Sequence, residues 1–260
     1  MTDNKILHSK IYGQENEGLP LLIFHGLFGM LDNWGTFGRD LGESRPVHLI
    51  DLRNHGRSFH TNGMTHKDLA DDITNYMQYH QIEKAHLLGH SLGGKAVMQF
   101  AIQHPEKVAK LIVVDISPKA YPPHHQGIIK ALKSVDFEQV KSRSEVENLL
   151  SQYIPEKSIV FFLTKSLYWT KDKKLNWRFN LDALSNHYND FVGNAIQFGV
   201  FEGETLFIAG DKSNYILPQD DFLMKQQFPQ YQLIKIPNAG HWVQAENPKD
   251  FTKAVKGFLG

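Results

Sequence analysis

The segment Leu87-Leu88-Gly89-His90-Ser91-Leu92-Gly93-Gly94 restricts the fold more than any other part of this chain. It continues a short run from Ala85 that reads as a strand. Leu92–Gln103 then carries helical spacing and stops before Pro105. Ser91 is therefore expected on a tight strand-to-helix turn, where a serine is forced into a strained backbone conformation. Bulky neighbours two positions to either side would clash, which accounts for Gly89 and Gly93. The turn lifts the hydroxyl above the carboxyl edge of a sheet. It also sets the next N–H, that of Leu92, at a helix N-terminus, where negative charge is favoured. Gly-x-Ser-x-Gly alone arises by chance about one time in ten in a chain this long. The flanking strand and helix make it specific.

The remaining pattern supplies the sheet. Residues 7–12 and 19–24 read as strands, the second ending in His25-Gly26-Leu27-Phe28-Gly29. A helix is expected next, capped by Asn33, with Trp34, Phe37 and Leu41 at helical spacing. Val47–Ile50 is an apolar strand, residues 65–79 an amphipathic helix and Val108–Val114 a strand ending in Asp115. Residues 116–202 break this rhythm: they contain helix-like segments, many aromatics and no convincing strand. Strands at 205–209 and 232–236 and helices at 219–228 and 249–259 then resume it. Alternating strands and helices imply a mostly parallel sheet covered on both faces. The expected organisation is an α/β core of residues 1–115 and 204–260 with a helical cap, residues 116–203, inserted between two strands.

Composition narrows the function classes. With 260 residues, the chain can bury one sizeable core and still carry an insertion. Lys+Arg and Asp+Glu stand at 28 each, so no strong field draws in nucleic acid or an anionic membrane. The chain has no cysteine, which excludes disulfides, thiolate catalysis and Cys–zinc sites. Residues 1–12 lack the basic start and apolar stretch of a secretory signal. No apolar run approaches the roughly 18 residues needed to span a bilayer. The expectation is a cytoplasmic protein without stable membrane insertion, acting on a small molecule with neither metal nor cofactor.

A serine nucleophile needs two further parts. His25-Gly26-Leu27 follows an apolar strand, and the glycine lets the backbone present an N–H inward. The Leu27 and Leu92 N–H groups together would form an oxyanion hole, with His25 structural. The hydroxyl also needs a base tuned near neutral pH, for which imidazole is suited. Of 14 histidines, His241 in Pro237-Asn238-Ala239-Gly240-His241-Trp242 falls in a loop after the last strand, opening on the same sheet edge as Ser91. His90 is expected to point away from the pocket. His124-His125 reads as a solvated pair at the cap entrance. For the acid that orients the base, the chain order Ser…Asp…His fits both Asp115 and Asp211.

His-Gly-Leu-Phe-Gly, Asp-Leu-Arg-Asn-His-Gly-Arg-Ser, Gly-His-Ser-Leu-Gly-Gly-Lys-Ala, Val-Asp-Ile-Ser-Pro and Asn-Ala-Gly-His-Trp occur here in that order. Together they resemble the α/β-hydrolase superfamily, most of all its small capped esterases of the YbfF-like type, and are similar to ABHD-type hydrolases. Trp177-Arg178-Phe179-Asn180-Leu181 in the cap also matches, and the resemblance runs from about residue 6 to 259. It implies an α/β-hydrolase fold with a helical cap and hydrolysis of esters or acyl thioesters. It also bears on the acid. In the superfamily the acid usually lies three residues after a strand-ending glycine, and that place here holds Ser213. In YbfF-like esterases it lies in Val-Asp-Ile-x-Pro, which is Asp115. The reading takes Asp115, beside the nucleophile strand, as the acid, with Asp211 as the alternative.

The aromatics of the cap suit either a cap core or an apolar channel for acyl chains. Lys165, Lys171, Lys173, Lys174 and Arg178 suit a solvated face or an anionic leaving group such as coenzyme A. The same triad also serves C–C bond hydrolases or lyases and haloperoxidase-like enzymes. From a different class, a ligand receptor can retain this fold without catalysis.

Overall fold

The computed structural model describes residues 5–260; the first four residues of the 1–12 stretch lie outside them. The core strands are β1 (Ser9–Tyr12), β2 (Leu21–Phe24), β3 (Val47–Ile50), β4 (Ala85–His90) and β5 (Val108–Val114). Helices α1 (Gly35–Gly42), α2 (His66–Tyr79) and α3 (Leu92–Gln103) alternate with them. Between β5 and the next core strand lie α4 (Gln126–Lys133), α5 (Arg143–Ser151), α6 (Lys157–Thr164), β6 (Leu167–Trp169), β7 (Leu175–Trp177) and α7 (Leu181–Asn186). The core resumes with β8 (Thr205–Gly210), α8 (Asp221–Gln227), β9 (Tyr231–Ile236), α9 (Val243–Glu246) and α10 (Pro248–Leu259).

Seven strands form one sheet in the order β1-β3-β2-β4-β5-β8-β9. Only β1 runs antiparallel to its neighbour; the other pairs are parallel. Period-2 alternation divides each buried strand between two cores. Leu22 and Phe24 join Tyr76, Phe100 and Phe207 on one face, while Leu21 and Ile23 join Trp34, Ile208 and Phe251 on the other. A strand buried on both faces thus needs apolar residues on both, as β2 shows throughout and β3, β4 and β5 show apart from His48, His86 and Lys110 among others. Helix α2 begins in a reciprocal cap: the Thr65 hydroxyl accepts from Asp68 N–H, and the Asp68 carboxylate accepts from Thr65 N–H. No described helix is long and apolar enough to cross a membrane.

The register of the central strands brings distant residues level. His90 pairs with Val114, Val114 with Ile208, and Gly210 with Ile236. The residues that follow, Ser91, Asp115 and the loops after β8 and β9, therefore emerge along one carboxyl edge.

Two expectations need correction. Residues 116–202 do contain strands: β6 and β7 pair antiparallel, with Lys173 at φ 58° in the turn between them. Strands of three residues are too short to display alternation. Asn33 does not cap α1. It lies in a 3₁₀ turn, Leu31–Trp34, and its side chain accepts from Met30 N–H at 2.8 Å. The aromatics of this region also divide: Trp177, Phe179, Tyr188 and Phe191 are buried, whereas Phe161 and Trp169 are exposed.

Candidate active site

Ser91 adopts φ 52° and ψ −115° between β4 and α3, a left-handed backbone costing on the order of 1–3 kcal/mol for a non-glycine residue. Its N–H donates to Val114 O at 3.0 Å, which ties the turn to β5. A Cβ on Gly89 would lie 2.2 Å from Gly93 O, and one on Gly93 would lie 2.4 Å from Phe24 O. Both contacts are with backbone that cannot yield, so the turn exists only with glycine on either side.

The loop after β2 is held from below by the Asp51–Ser58 segment. Leu52 N–H donates to His25 Nε2 at 3.1 Å, so the His25 proton lies on Nδ1 and donates to Gly26 O at 2.8 Å. Phe28, at φ 60°, donates its N–H to His55 Nε2 at 3.1 Å, and His55 Nδ1 donates to Arg53 O. Leu31 N–H and Arg57 N–H donate to the two Asp51 carboxylate oxygens at 2.7 and 2.8 Å. Burial lowers the pKa of His25 to about 4 and of His55 to about 3, which keeps both neutral. His25 thus has the structural setting expected of it. Among the described residues no protein acceptor meets the N–H of Leu27 or Leu92. Both residues border the cavity that exposes Ser91.

His241 Nδ1 donates to Asp115 Oδ2 at 2.8 Å, leaving Nε2 with a free lone pair. Asp115 is fully buried at φ 51°. Its Oδ1 accepts from Gly210 N–H at 3.2 Å, and its Oδ2 also accepts from Ser213 Oγ at 2.5 Å. Burial raises the Asp115 pKa to about 6, against the lowering effect of the Ser213 and Gly210 hydrogen bonds. Burial, with His124 adding to it, lowers that of His241 to about 3. At neutral pH the pair is thus a carboxylate and a neutral imidazole. Asp211 is exposed and accepts from Ala239 N–H at 3.3 Å. It makes no hydrogen bond or ion pair with His241 among the described residues, and its place is that of a turn residue.

Ser213 is a site residue that sequence reasoning missed. Its hydroxyl joins Asp115 to Tyr215, whose N–H it accepts at 3.2 Å. The Tyr215 ring stacks on His241 at 3.8 Å and 15°. The one available signal was the position of Ser213, three residues after Gly210. His90 also departs from expectation. It does not turn away: its ring lies 4.8 Å from that of His241, and its Nε2 donates to His241 O at 2.8 Å. A Cβ on Gly26 would lie 2.9 Å from His90 Nδ1, so the glycine leaves the ring its room, and His90 borders the cavity.

That cavity measures about 290 Å³ and is lined by Phe28, Ser91, Ile159, Phe162, His241 and Trp242, among others. Ser91 and His241 share it without a hydrogen bond between them, as is common before substrate tightens such a site. His124 and His125 stand at its rim. His124 is exposed, and the two bond Tyr215 OH and Tyr188 OH respectively. A second hollow of about 470 Å³ lies beyond Phe162 and Trp242 and is bordered by Lys165. Of the other cations in residues 116–203, Lys174 is paired with Glu138, and Arg178 covers the Tyr168 ring.

Comparison with known proteins agrees with this architecture. A family model described as the alpha/beta hydrolase fold matches residues 20–162. The chain is 34% identical over 257 residues to the sn-1-specific diacylglycerol lipase ABHD11 of Danio rerio, covering 96% of this chain and 81% of that one. It is 34% identical over 248 residues to the esterase YbfF of Escherichia coli, covering 94% of each. A solved structure titled a marine microorganism esterase superposes with a TM-score of 0.93 at 37% identity, covering 98% of this chain and 99% of that one. With its parallel sheet, its serine on a strand-to-helix turn and its close relatives along nearly the whole length, the chain belongs to the α/β-hydrolase family.

Proposed function

We propose that the protein is a serine carboxylic-ester hydrolase that works through an acyl-enzyme, with Ser91 as nucleophile, His241 as base and Asp115 as the orienting acid. The observation that carries this reading is the 2.8 Å bond from His241 Nδ1 to buried Asp115, with Ser91 on its strained turn in the same cavity. His241 Nε2 takes the Ser91 proton as Oγ bonds to the acyl carbon. The carbonyl oxygen gains negative charge, which the Leu27 and Leu92 N–H groups stabilise. The bond to the leaving oxygen or sulfur breaks, and His241 returns the proton to that atom. Water then attacks the acyl-enzyme, passes its proton through His241 to Ser91 Oγ, and frees the acid.

In this reading residues 116–203 act as the cap. Ile128 on α4 and Ile159, Phe162 and Leu163 on α6 wall the cavity. Acyl thioesters fall within the same chemistry, and Lys165, which borders the outer hollow, is the cation this reading assigns to an anionic leaving group. The test is a panel of neutral esters, acyl-CoA thioesters and β-diketones assayed by product analysis. Ester cleavage at the acyl–oxygen bond is expected, with Lys165→Glu weakening acyl-CoA turnover alone. C–C cleavage as the dominant reaction would favour a C–C hydrolase. No turnover, with retained ligand binding, would favour a receptor.

A pH dependence follows from the Asp115 environment. Its raised pKa means that the carboxyl takes up a proton as pH falls through about 6, and a neutral acid no longer stabilises imidazolium. Activity is therefore expected to hold above that value and to fall about tenfold per pH unit below it. Ser213→Ala removes a hydrogen bond that lowers the pKa, so this acid limb moves to higher pH. A limb unchanged in Ser213→Ala would assign it to another group.

A further inference from the structure

The cavity at Ser91 has a second, much smaller lobe of about 20 Å³, room for one group of water or methyl size. Ser91, Leu27, Leu92, Ile116 and Val192 line it, and Lys95 lies in its wall. The large lobe touches His90, His241 and Trp242; the small lobe touches none of these three. The lobes share Leu27, Ser91, His124, His125 and Tyr215, and the reacting carbonyl must lie beside Leu27 and Ser91 for its oxygen to face the two free N–H groups.

An acyl carbon bonded to Ser91 has two flanking groups, and the proposed mechanism sorts them. His241 must hand its proton to the leaving atom, so the leaving group belongs on the His241 side, in the large lobe. The acyl chain is left with the small one. Resting on the acyl-enzyme reading above, we infer that the small lobe is the acyl subsite, that it takes acyl groups of two or three carbons, with the second carbon at the junction and at most one further group in the lobe, and that Lys95 gives it a preference for an oxygen acceptor on the second carbon.

Lys95 is 2% exposed. Its ammonium donates to Lys119 O and stands 5.2 Å from the centre of the Tyr121 ring. That carbonyl is its one hydrogen-bond acceptor among the described residues, whereas an ammonium has three N–H donors. Asp220, whose charge acts on Lys95, is itself engaged by Lys119 at 2.6 Å. Burial lowers the Lys95 pKa to about 7, with Lys119 adding to the effect and Asp220 opposing it. A buried donor with unused capacity favours a group that accepts from it and disfavours a bare alkyl chain. Length is selected by space, and polarity by Lys95.

The test is a kcat/KM matrix in which acyl and alcohol lengths vary separately. Octanoate is expected to fall at least about 100-fold below acetate on a common alcohol, while ethyl and octyl acetates agree within about tenfold. Hydroxyacetate should exceed propionate, its equal in size, at least about fivefold. Lys95→Met should bring that ratio close to one, and Val192→Ala should raise butyrate relative to acetate about tenfold. Octanoate within threefold of acetate would overturn the acyl assignment, and an unchanged hydroxyacetate preference in Lys95→Met would overturn the role of Lys95. Ser91→Ala run in parallel separates the two levels. If hydrolysis depends on Ser91 but the chain-length order is inverted, the subsite inference alone fails. If hydrolysis is absent or survives Ser91→Ala, the acyl-enzyme reading itself fails.

Discussion

Ser91→Ala is expected to lower kcat for ester hydrolysis by about a millionfold, to a residue supplied by binding and the oxyanion donors. The substitution removes one oxygen from a position fixed by the Val114 contact and by the two glycines, so the cavity around it stays intact. The expected loss is therefore in kcat, with substrate affinity little changed. Ser91→Gly supplies a control for folding. At φ 52° glycine bears no Cβ penalty, and relief of the strain is expected to stabilise the protein by about 1 kcal/mol. The inactive variant should thus melt at or above the temperature of the native chain. An inactive Ser91→Gly that melts lower would point to disruption of the turn instead of loss of the nucleophile.

The second large effect is expected at Asp115. Asp115→Asn keeps the size of the side chain, and asparagine tolerates the positive φ. The amide presents an N–H₂ or a neutral oxygen where His241 Nδ1 now meets a carboxylate. The first arrangement selects the wrong imidazole tautomer, and the second no longer stabilises imidazolium. A loss of about four orders of magnitude in kcat follows. Asp211→Asn should cost less than about threefold, because an exposed asparagine still accepts from Ala239 N–H through its side-chain oxygen. The contrast between the two variants is the informative quantity. A large loss in Asp211→Asn with a small one in Asp115→Asn would reverse the assignment.

What could be read from the sequence was set by distance along the chain. The turn at Ser91 is local: its strand, its two glycines and its helix lie within twenty residues, and each is needed by the next. The β-α rhythm was legible for the same reason, since buried parallel strands leave continuous apolar runs. The contact between Asp115 and His241 spans 126 residues. It became readable only because β5 was expected beside β4 and a similar family places its acid there. Ser213 and His90 had no such support. Ser213 meets Asp115 across 98 residues, and a serine in a turn has many other uses. The usual direction of an elbow residue turns His90 away, whereas its ring bonds His241 O across 151 residues. The β6–β7 hairpin was too short to show a period. The hydrogen bonds that seat the Leu27 loop on His55, Asp51 and Leu52 are likewise tertiary, although those residues stand together in the Asp-Leu-Arg-Asn-His-Gly-Arg-Ser motif.

The acyl-enzyme account stands or falls on whether Ser91 is a working nucleophile. Incubation of the folded protein with a fluorophosphonate, followed by intact mass measurement and peptide mapping, tests this directly. One adduct per chain on Ser91 is predicted, absent from Ser91→Ala and strongly slowed in His241→Ala. Ester hydrolysis by a chain that takes no label, or takes it at another residue, would contradict the account.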